Sequence, residues 1–386
     1  MYSPIKRIVT GIDVGTHSTR ILVMEQSNDT APRIIATGIS ETRGLHHGYI
    51  ISKADAISSI EKALARVEKI TKFKIKNVLL SVGGISLESY IAHGSLIISR
   101  VSGEINELDI QKIEAETKEN LPNLTNRRIV YSTTIRYKID NKEVLGSPIG
   151  MIGAKLEIKM LFVTYLEQHL DDMIHAIEKL GIEVDEVIPS PIIASQTILT
   201  KKQRSVGCAL VNIGAETVSI VVFENDVPIS LQVFPIGSTD ITNDIALGFK
   251  IPLEDAENMK LGHITDVHPK KKLTEIIEAR LYDIFELIEA HLKKIGRSGL
   301  LPAGIILTGG GSSIASIQNF SKATLKLPSS VANLPIENNK QIIKDSTWFV
   351  AYGLAQYALE KSPTKNQSSF YTIAITLKKL IKPFLP

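Results

Sequence analysis

The chain has 386 residues, a formal net charge of +3, 44% apolar residues and 22% charged residues. That length exceeds what one hydrophobic core comfortably holds, so two or more domains are expected. The near-balanced charge excludes the strong field of a nucleic-acid binder. A single cysteine, Cys208, excludes an internal disulfide and fits a reducing compartment. Lys6 and Arg7 precede an apolar stretch that Gly11 and Asp13 soon interrupt, too short for a secretory leader. No stretch approaches the roughly 18 apolar residues of a bilayer-spanning helix, and a cytoplasmic protein is expected.

In chain order, residues 5–24 read as two β-branched strands, followed by a third at 33–38. Ile57, Ile60, Leu64, Val67 and Ile70 recur at helical spacing and predict a helix over 55–71, with a strand at 77–82. The next segment has its own order of elements. It runs from a strand at 95–100 to a helix at 106–121 with Ile110 and Ile113 on one face. Strands at 128–139 and 155–164 then flank a polar turn at 140–142. A helix over 165–180 ends at Gly181, as a left-handed cap would. Strands at 208–222 and 230–235 and a helix at 239–247 then repeat the opening βββα order, so the fold is expected to be duplicated. A long amphipathic helix over 273–295 is stopped by Gly296, and a strand at 305–307 reaches a triple glycine with a helix expected from Ser313. A helix at 346–359, a polar linker at 361–369 and an amphipathic tail at 370–386 complete the chain.

Two segments carry the chemistry. Asp13-Val14-Gly15-Thr16-His17-Ser18 and Asn212-Ile213-Gly214-Ala215-Glu216-Thr217 share one pattern, each lying between apolar runs. An apolar strand broken by Gly and small hydroxyl residues, then resumed at once, reads as a tight hairpin whose N–H groups form an anion nest. Two such nests in two similar halves point to phosphate gripped from both sides, which makes a nucleotide the leading ligand. Asp13 can hold Mg²⁺ through water beside the phosphates. Gly309, Gly310, Gly311 and Ser312 follow a short strand, where missing side chains let the backbone approach a flat ring or a phosphate. Glu257 and Lys260, one helical turn apart, are placed to meet the ribose and base.

These motifs together resemble the actin/Hsp70/sugar-kinase ATPase superfamily, and most closely the bacterial FtsA cell-division family, over nearly the whole chain. Residues 11–18 resemble the first phosphate loop, 210–217 the second and 304–313 the adenosine motif. Ala256-Glu257-Asn258-Met259-Lys260 resembles the helix that meets the nucleoside, and 84–164, with Gly103-Glu104-Ile105, resembles the family's inserted subdomain. The resemblance implies an α/β, actin-like (ribonuclease H-like) fold of two lobes with duplicated βββαβα domains and an inserted FtsA-type small subdomain. Its first lobe comprises 1–83 and 165–197, and its second comprises 198–360 with a peripheral part at about 228–303. It also implies ATP and Mg²⁺ as ligands, head-to-tail filaments of the chain itself, and a tether for the C-terminal peptide of FtsZ, with Arg280 as a contact for that peptide. Phe370, Ile373, Leu377, Leu380, Ile381 and Phe384 share the apolar face of the tail, with Lys378, Lys379 and Lys382 beside it. Such a basic amphipathic helix suits the anionic inner surface of the cell membrane.

The second loop departs from the family pattern. It carries Asn212 where Asp is usual, and Ala215 and Glu216 where glycines are usual. Residues 187–191 (Val-Ile-Pro-Ser-Pro) also lack the carboxylate or amide that orients water before the proline. Nucleotide binding with slow or negligible hydrolysis is therefore expected, with Glu216 a negative charge near the γ-phosphate. Within the same fold, a PilM-type pilus-assembly platform is the alternative, and a small-molecule kinase a more distant one.

Overall fold

The computed structural model describes residues 6–27, 31–122, 124–263, 269–333, 336–338, 341–343 and 345–361. The first lobe opens with strands β1 (Lys6–Val14), β2 (Ser18–Ser27) and β3 (Arg33–Glu41). A two-strand ribbon follows, β4 (Leu45–His46) and β5 (Tyr49–Ile50), and then helix α1 (Lys53–Thr71) and β6 (Asn77–Val82). The inserted segment supplies β7 (Leu87–Ile97), α2 (Glu107–Glu119), β8 (Arg127–Ile139), β9 (Lys142–Val144) and β10 (Lys155–Leu166). Helix α3 (Glu167–Glu178), β11 (Glu183–Pro189), α4 (Ser190–Ile198) and α5 (Lys201–Val206) lead out of the lobe. The second lobe comprises β12 (Cys208–Ile213), β13 (Val218–Glu224), β14 (Val227–Phe234), α6 (Ser238–Phe249), α7 (Leu253–Lys260), α8 (Lys270–Lys294), β15 (Ile305–Thr308), α9 (Ile317–Leu325) and β16 (Ser329–Val331). A ribbon of β17 (Ile336–Asn338) and β18 (Gln341–Ile343) precedes α10 (Phe349–Glu360).

The two main sheets are topological copies. One has the order β11-β6-β1-β2-β3 and the other, read the same way, β16-β15-β12-β13-β14. In each, the first three strands form an antiparallel meander and the remaining two run parallel to the meander's first strand. The strands nearest the sheet centres, such as Leu22, Leu80, Val211 and Ile220, are buried as the continuous apolar runs require.

The helix after each sheet's last stretch crosses to the other lobe. Val350, Leu354 and Ala358 of α10 pack into the first-lobe core, and a Cβ on Gly11 of β1 would sit 2.5 Å from the Ala351 carbonyl oxygen. Residues of α4 share that core with Leu210, Val221 and Leu231 of the second lobe. The lobes are therefore joined at the base by interlocked helices and open above it.

The inserted subdomain has the sheet order β7-β10-β8-β9 and its own core of Ile105, Ile113, Leu156, Ile158 and Phe162. Several elements differ from the sequence reading. The subdomain's first strand begins at Leu87 rather than residue 95. Its turn after residue 139 feeds a short edge strand, β9, because Asp140 and Asn141 both take left-handed φ (48° and 65°) and send the chain straight back. Val227–Phe234 pairs with β13 inside the second main sheet, so the layer outside that sheet begins at Ser238. After the triple glycine a 3₁₀ turn, Gly310–Ser313, comes first, and α9 begins only at Ile317. A second 3₁₀ turn, Ser346–Trp348, precedes α10. The linker beyond Lys361 and the tail at 370–386 lie outside the described residues.

Candidate functional site

A cleft of about 1010 Å³ opens between the lobes. Both hairpins line it: Asp13, Gly15, Thr16, His17 and Ser18 from one lobe, and Asn212, Gly214, Ala215 and Thr217 from the other. Each hairpin closes with the same bond, Gly15 N–H to the Ser18 carbonyl (3.2 Å) and Gly214 N–H to the Thr217 carbonyl (2.9 Å).

Duplication extends to the side chains behind the hairpins. Asp13 lies opposite Ser81 in the parallel pair β1–β6, and Asn212 lies opposite Thr308 in the pair β12–β15. Ser81 Oγ donates to Asp13 Oδ1 at 2.6 Å. Burial pushes the Asp13 carboxyl above its usual range, against the pull of Ser81 and of the neighbouring Arg20. Arg20 faces Asp13 across the β1–β2 register, donates to Ser18 Oγ and lies over the Trp348 ring. Burial lowers its pKa, against the attraction of Asp13 and Asp345.

Three polar atoms in these walls are buried without a partner among the described residues: Arg20 Nε, Thr308 Oγ1 and Thr347 Oγ1. Orphaned buried donors are rare in native proteins and point to a group the cleft is built to receive. A hydroxyl beside Asn212, a second hydroxyl in the turn before α10 and a guanidinium beside Asp13 together suit a polyanion. Among the described residues no three His, Cys, Asp or Glu come together as a metal cage. Asp13, a carboxylate beside the first hairpin, would suit the water shell of a phosphate-borne Mg²⁺ rather than a direct protein cage.

Part of the second-lobe wall of the cleft is built by α6 and α7. Lys260 Nζ meets Glu257 Oε2 at 2.7 Å, Thr242 Oγ1 at 2.8 Å and the Ser238 carbonyl at 3.1 Å. Burial raises the Glu257 pKa, but the bonds from Lys260 and Thr242 and the charges of Lys260 and His17 outweigh it and hold the carboxylate low. His17, from the opposite lobe, therefore feels Glu257 across the cleft. Gly309, Gly310 and Gly311 form the floor. Gly309 needs its missing side chain, with φ at +87° and a would-be Cβ 2.2 Å from Asn212 Oδ1.

Several expected residues sit elsewhere. Ser312 is buried and its Oγ donates to the Gly309 carbonyl at 2.7 Å, so it shapes the loop rather than lining the cleft. Glu216 turns out of the cleft, with Oε2 accepting from the His47 amide at 2.5 Å and facing His46 Nδ1 at 3.3 Å. Arg280 lies on α8 and grips Asp244 of α6 through two bonds (2.7 and 3.0 Å), with Asp283 at 3.3 Å. The apolar tail face, Phe370 to Phe384, falls outside the described residues. Sequence reasoning missed Arg20, Thr242, Thr308, Ser346 and Thr347, which line the cleft. Arg20 was legible as the residue that pairs with Asp13 across a short hairpin. Thr347 gave no signal, because the sequence reads 346–359 as one helix, whereas its first turn is a separate 3₁₀ turn that lines the cleft.

The family model described as "Cell division protein FtsA" matches residues 209–353, and the one described as "SHS2 domain inserted in FTSA" matches residues 84–164. The cell division protein FtsA of Pseudomonas aeruginosa is 26% identical over 379 residues, covering 92% of this chain and 90% of its own. That of Bacillus subtilis is 27% identical over 375 residues, covering 91% of this chain and 83% of its own. Among solved structures, a chain of the PilM-PilN type IV pilus biogenesis complex superposes with a TM-score of 0.70 at 15% identity, covering 91% of this chain and 98% of its own. MreB5 of Spiroplasma citri, solved bound to ADP, does so with a TM-score of 0.52 at 12% identity, covering 92% and 99%. The fold is thus the actin-like one, with an SHS2 domain inserted in its first lobe. With both FtsA models matching, together over more than half of its length, and relatives of that name aligning along most of it, this chain belongs to the FtsA family of cell-division proteins.

Proposed function

We propose that the chain binds ATP with Mg²⁺ between its lobes, polymerises head to tail on the cytoplasmic face of the cell membrane, and tethers FtsZ there through that protein's C-terminal peptide. The observation that carries the nucleotide reading is the cleft itself. Two hairpins of one pattern face each other, with unpartnered Thr308 and Thr347 hydroxyls and the Arg20 guanidinium around them. A ligand touching both lobes at once favours the closed shape, and closure is the form that can stack on a second copy. Such head-to-tail contacts generate open filaments. Each copy then adds one weak tail to the same membrane, and avidity makes the attachment firm.

Hydrolysis is proposed to be slow or negligible. Asn212 brings no charge, and the wall at Ser190 and Ala194, next to Pro189, offers no carboxylate or amide to orient water. The FtsZ peptide is proposed to meet the outer face of α6 and α8, where Tyr282 and Leu287 are exposed and Arg280 stands between Asp244 and Asp283.

Two measurements test this together. Equilibrium titration with ATP and Mg²⁺ should saturate, with phosphate release far slower than nucleotide exchange. Co-sedimentation with anionic vesicles should recover the full chain, more so with ATP, and lose a truncation after Lys361. Equal recovery of both forms would refute the tail as anchor, and would favour the PilM-type platform reading of the same fold. Phosphate transfer to a sugar or small metabolite would refute the tether reading.

A further inference from the structure

Glu216 belongs to the second hairpin by sequence, yet its contacts are with the first lobe. Its carboxylate accepts the His47 amide at 2.5 Å and faces His46 Nδ1 at 3.3 Å, and its own carbonyl meets His47 Nδ1 at 3.0 Å. The half of this contact made by the backbone amide does not depend on the charge of either imidazole. Charge-assisted bonds of this kind are among the stronger ones a surface cleft can form.

The receiving loop is held on every side. The His46 and His47 rings lie 4.1 Å apart, and Tyr49 stacks on His169 of α3 at 4.4 Å. His169 Nδ1 in turn bonds Ser86 Oγ at 2.6 Å. The His47 carbonyl accepts from the Ile85 amide at 3.1 Å, and the buried Tyr165 hydroxyl donates to the carbonyls of Gly48 (3.3 Å) and Gly83 (3.2 Å). Gly48 and Gly84 approach so closely that a Cβ on Gly48 would sit 2.6 Å from the Gly84 Cα.

These partners share one location. Gly48, Gly83 and Gly84 line the cleft beside the first hairpin, Ile85 leads directly into β7, and Tyr165 lies on β10. Strands β7 and β10 are adjacent in the inserted subdomain's sheet and are its two attachments to the lobe. A continuous chain of hydrogen bonds therefore runs from the second hairpin through Glu216 and His47 to the root of the inserted subdomain.

We propose that Glu216 is a positioning residue that couples the two lobes. It ties the setting of the second hairpin to the root of the inserted subdomain, so that a nucleoside triphosphate in the cleft tightens that root through this carboxylate. The identity of the ligand rests on the nucleotide reading above, and the clasp itself does not.

Amide hydrogen exchange on the full chain tests both parts, using wild type, Glu216→Ala and Glu216→Gln, each with and without ATP and Mg²⁺. Without nucleotide, the His47 amide is expected to exchange at least tenfold faster in Glu216→Ala, with Ile85 accelerated too. Glu216→Gln, which keeps an oxygen acceptor, is expected to recover much of that protection. Nucleotide is expected to slow exchange at both hairpins in all three proteins, but to slow residues 85–97 only where position 216 can accept the bond. Unchanged His47 exchange in Glu216→Ala would overturn the clasp. Nucleotide-dependent slowing at 85–97 that survives in Glu216→Ala would overturn the coupling. Absence of slowing at the hairpins in wild type would refute the nucleotide reading instead, while the nucleotide-free comparison still judges the clasp.

Discussion

The three consecutive glycines of the cleft floor should respond differently to substitution, and the structure says why. Gly310 takes a backbone conformation open to any residue, and a Cβ placed on it meets nothing within 4 Å, because it points into the cleft. Gly310→Leu should therefore change folding stability by no more than about 1 kcal/mol, as for an ordinary exposed site. The same side chain fills space the ligand needs, and overpacking of about 3 kcal/mol would weaken binding about a hundredfold. Gly309 is the reverse case. Its φ of 87° and ψ of 171° belong to a region open only to glycine, and an added Cβ would lie 2.6 Å from the Ile213 carbonyl oxygen. Gly309→Ala should cost about 3 kcal/mol or more from backbone strain and overlap together. Urea unfolding followed by circular dichroism, paired with isothermal titration of ATP and Mg²⁺, separates the two. Wild-type ATP affinity in a folded Gly310→Leu protein would remove the triple glycine from the site and refute the reasoning.

Arg20→Met should lower affinity for ATP at least tenfold while leaving adenosine affinity unchanged, since the guanidinium lies at the first hairpin, where the phosphates are proposed to bind; equal losses for both ligands would place it elsewhere. His291 is buried, with Nε2 2.8 Å from Ser230 Oγ, and burial pulls its pKa down to about 4. Its folded pKa lies below the unfolded value of about 6.5, so its contribution is intact above that pH and is lost as protons bind the unfolded chain first. Stability should fall by about 2 kcal/mol between pH 7.5 and pH 5 from this group, a decrement that His291→Gln removes; an identical pH profile in the variant would exclude it. Arg7 donates to the carbonyls of Ala358, Leu359 and Lys361 at the end of α10 (2.5, 2.8 and 2.7 Å). Arg7→Ala should cost about 1–3 kcal/mol in urea unfolding, because those terminal carbonyls lose their donor.

Much of the fold was legible because it is written in local pattern. The continuous apolar runs of β1, β2, β12 and β13, the 3.6-residue spacing of α1 and α8, and the glycine at each hairpin all depend on neighbours in sequence. The duplication was legible for the same reason, as two similar strings fold into two similar meanders. Boundaries were less so. The subdomain strand β7 starts eight residues before the predicted position, because its first half is paired with β10 rather than marked by apolar alternation.

The sequence alone thus determined two lobes of one pattern, an insertion with its own core, and a pair of matching glycine hairpins. Only the tertiary structure decided what each hairpin's odd residue does. Glu216 reads as a charge facing phosphate, yet it spans to His46 and His47, residues nearly half the chain away. Asp13 and Ser81, and likewise Asn212 and Thr308, meet only through the register of parallel strands distant in sequence. Local propensity acts along the chain within a few residues, whereas a site is made by groups brought together across it. That assembly depends on burial and packing of the whole core, which no window of sequence contains.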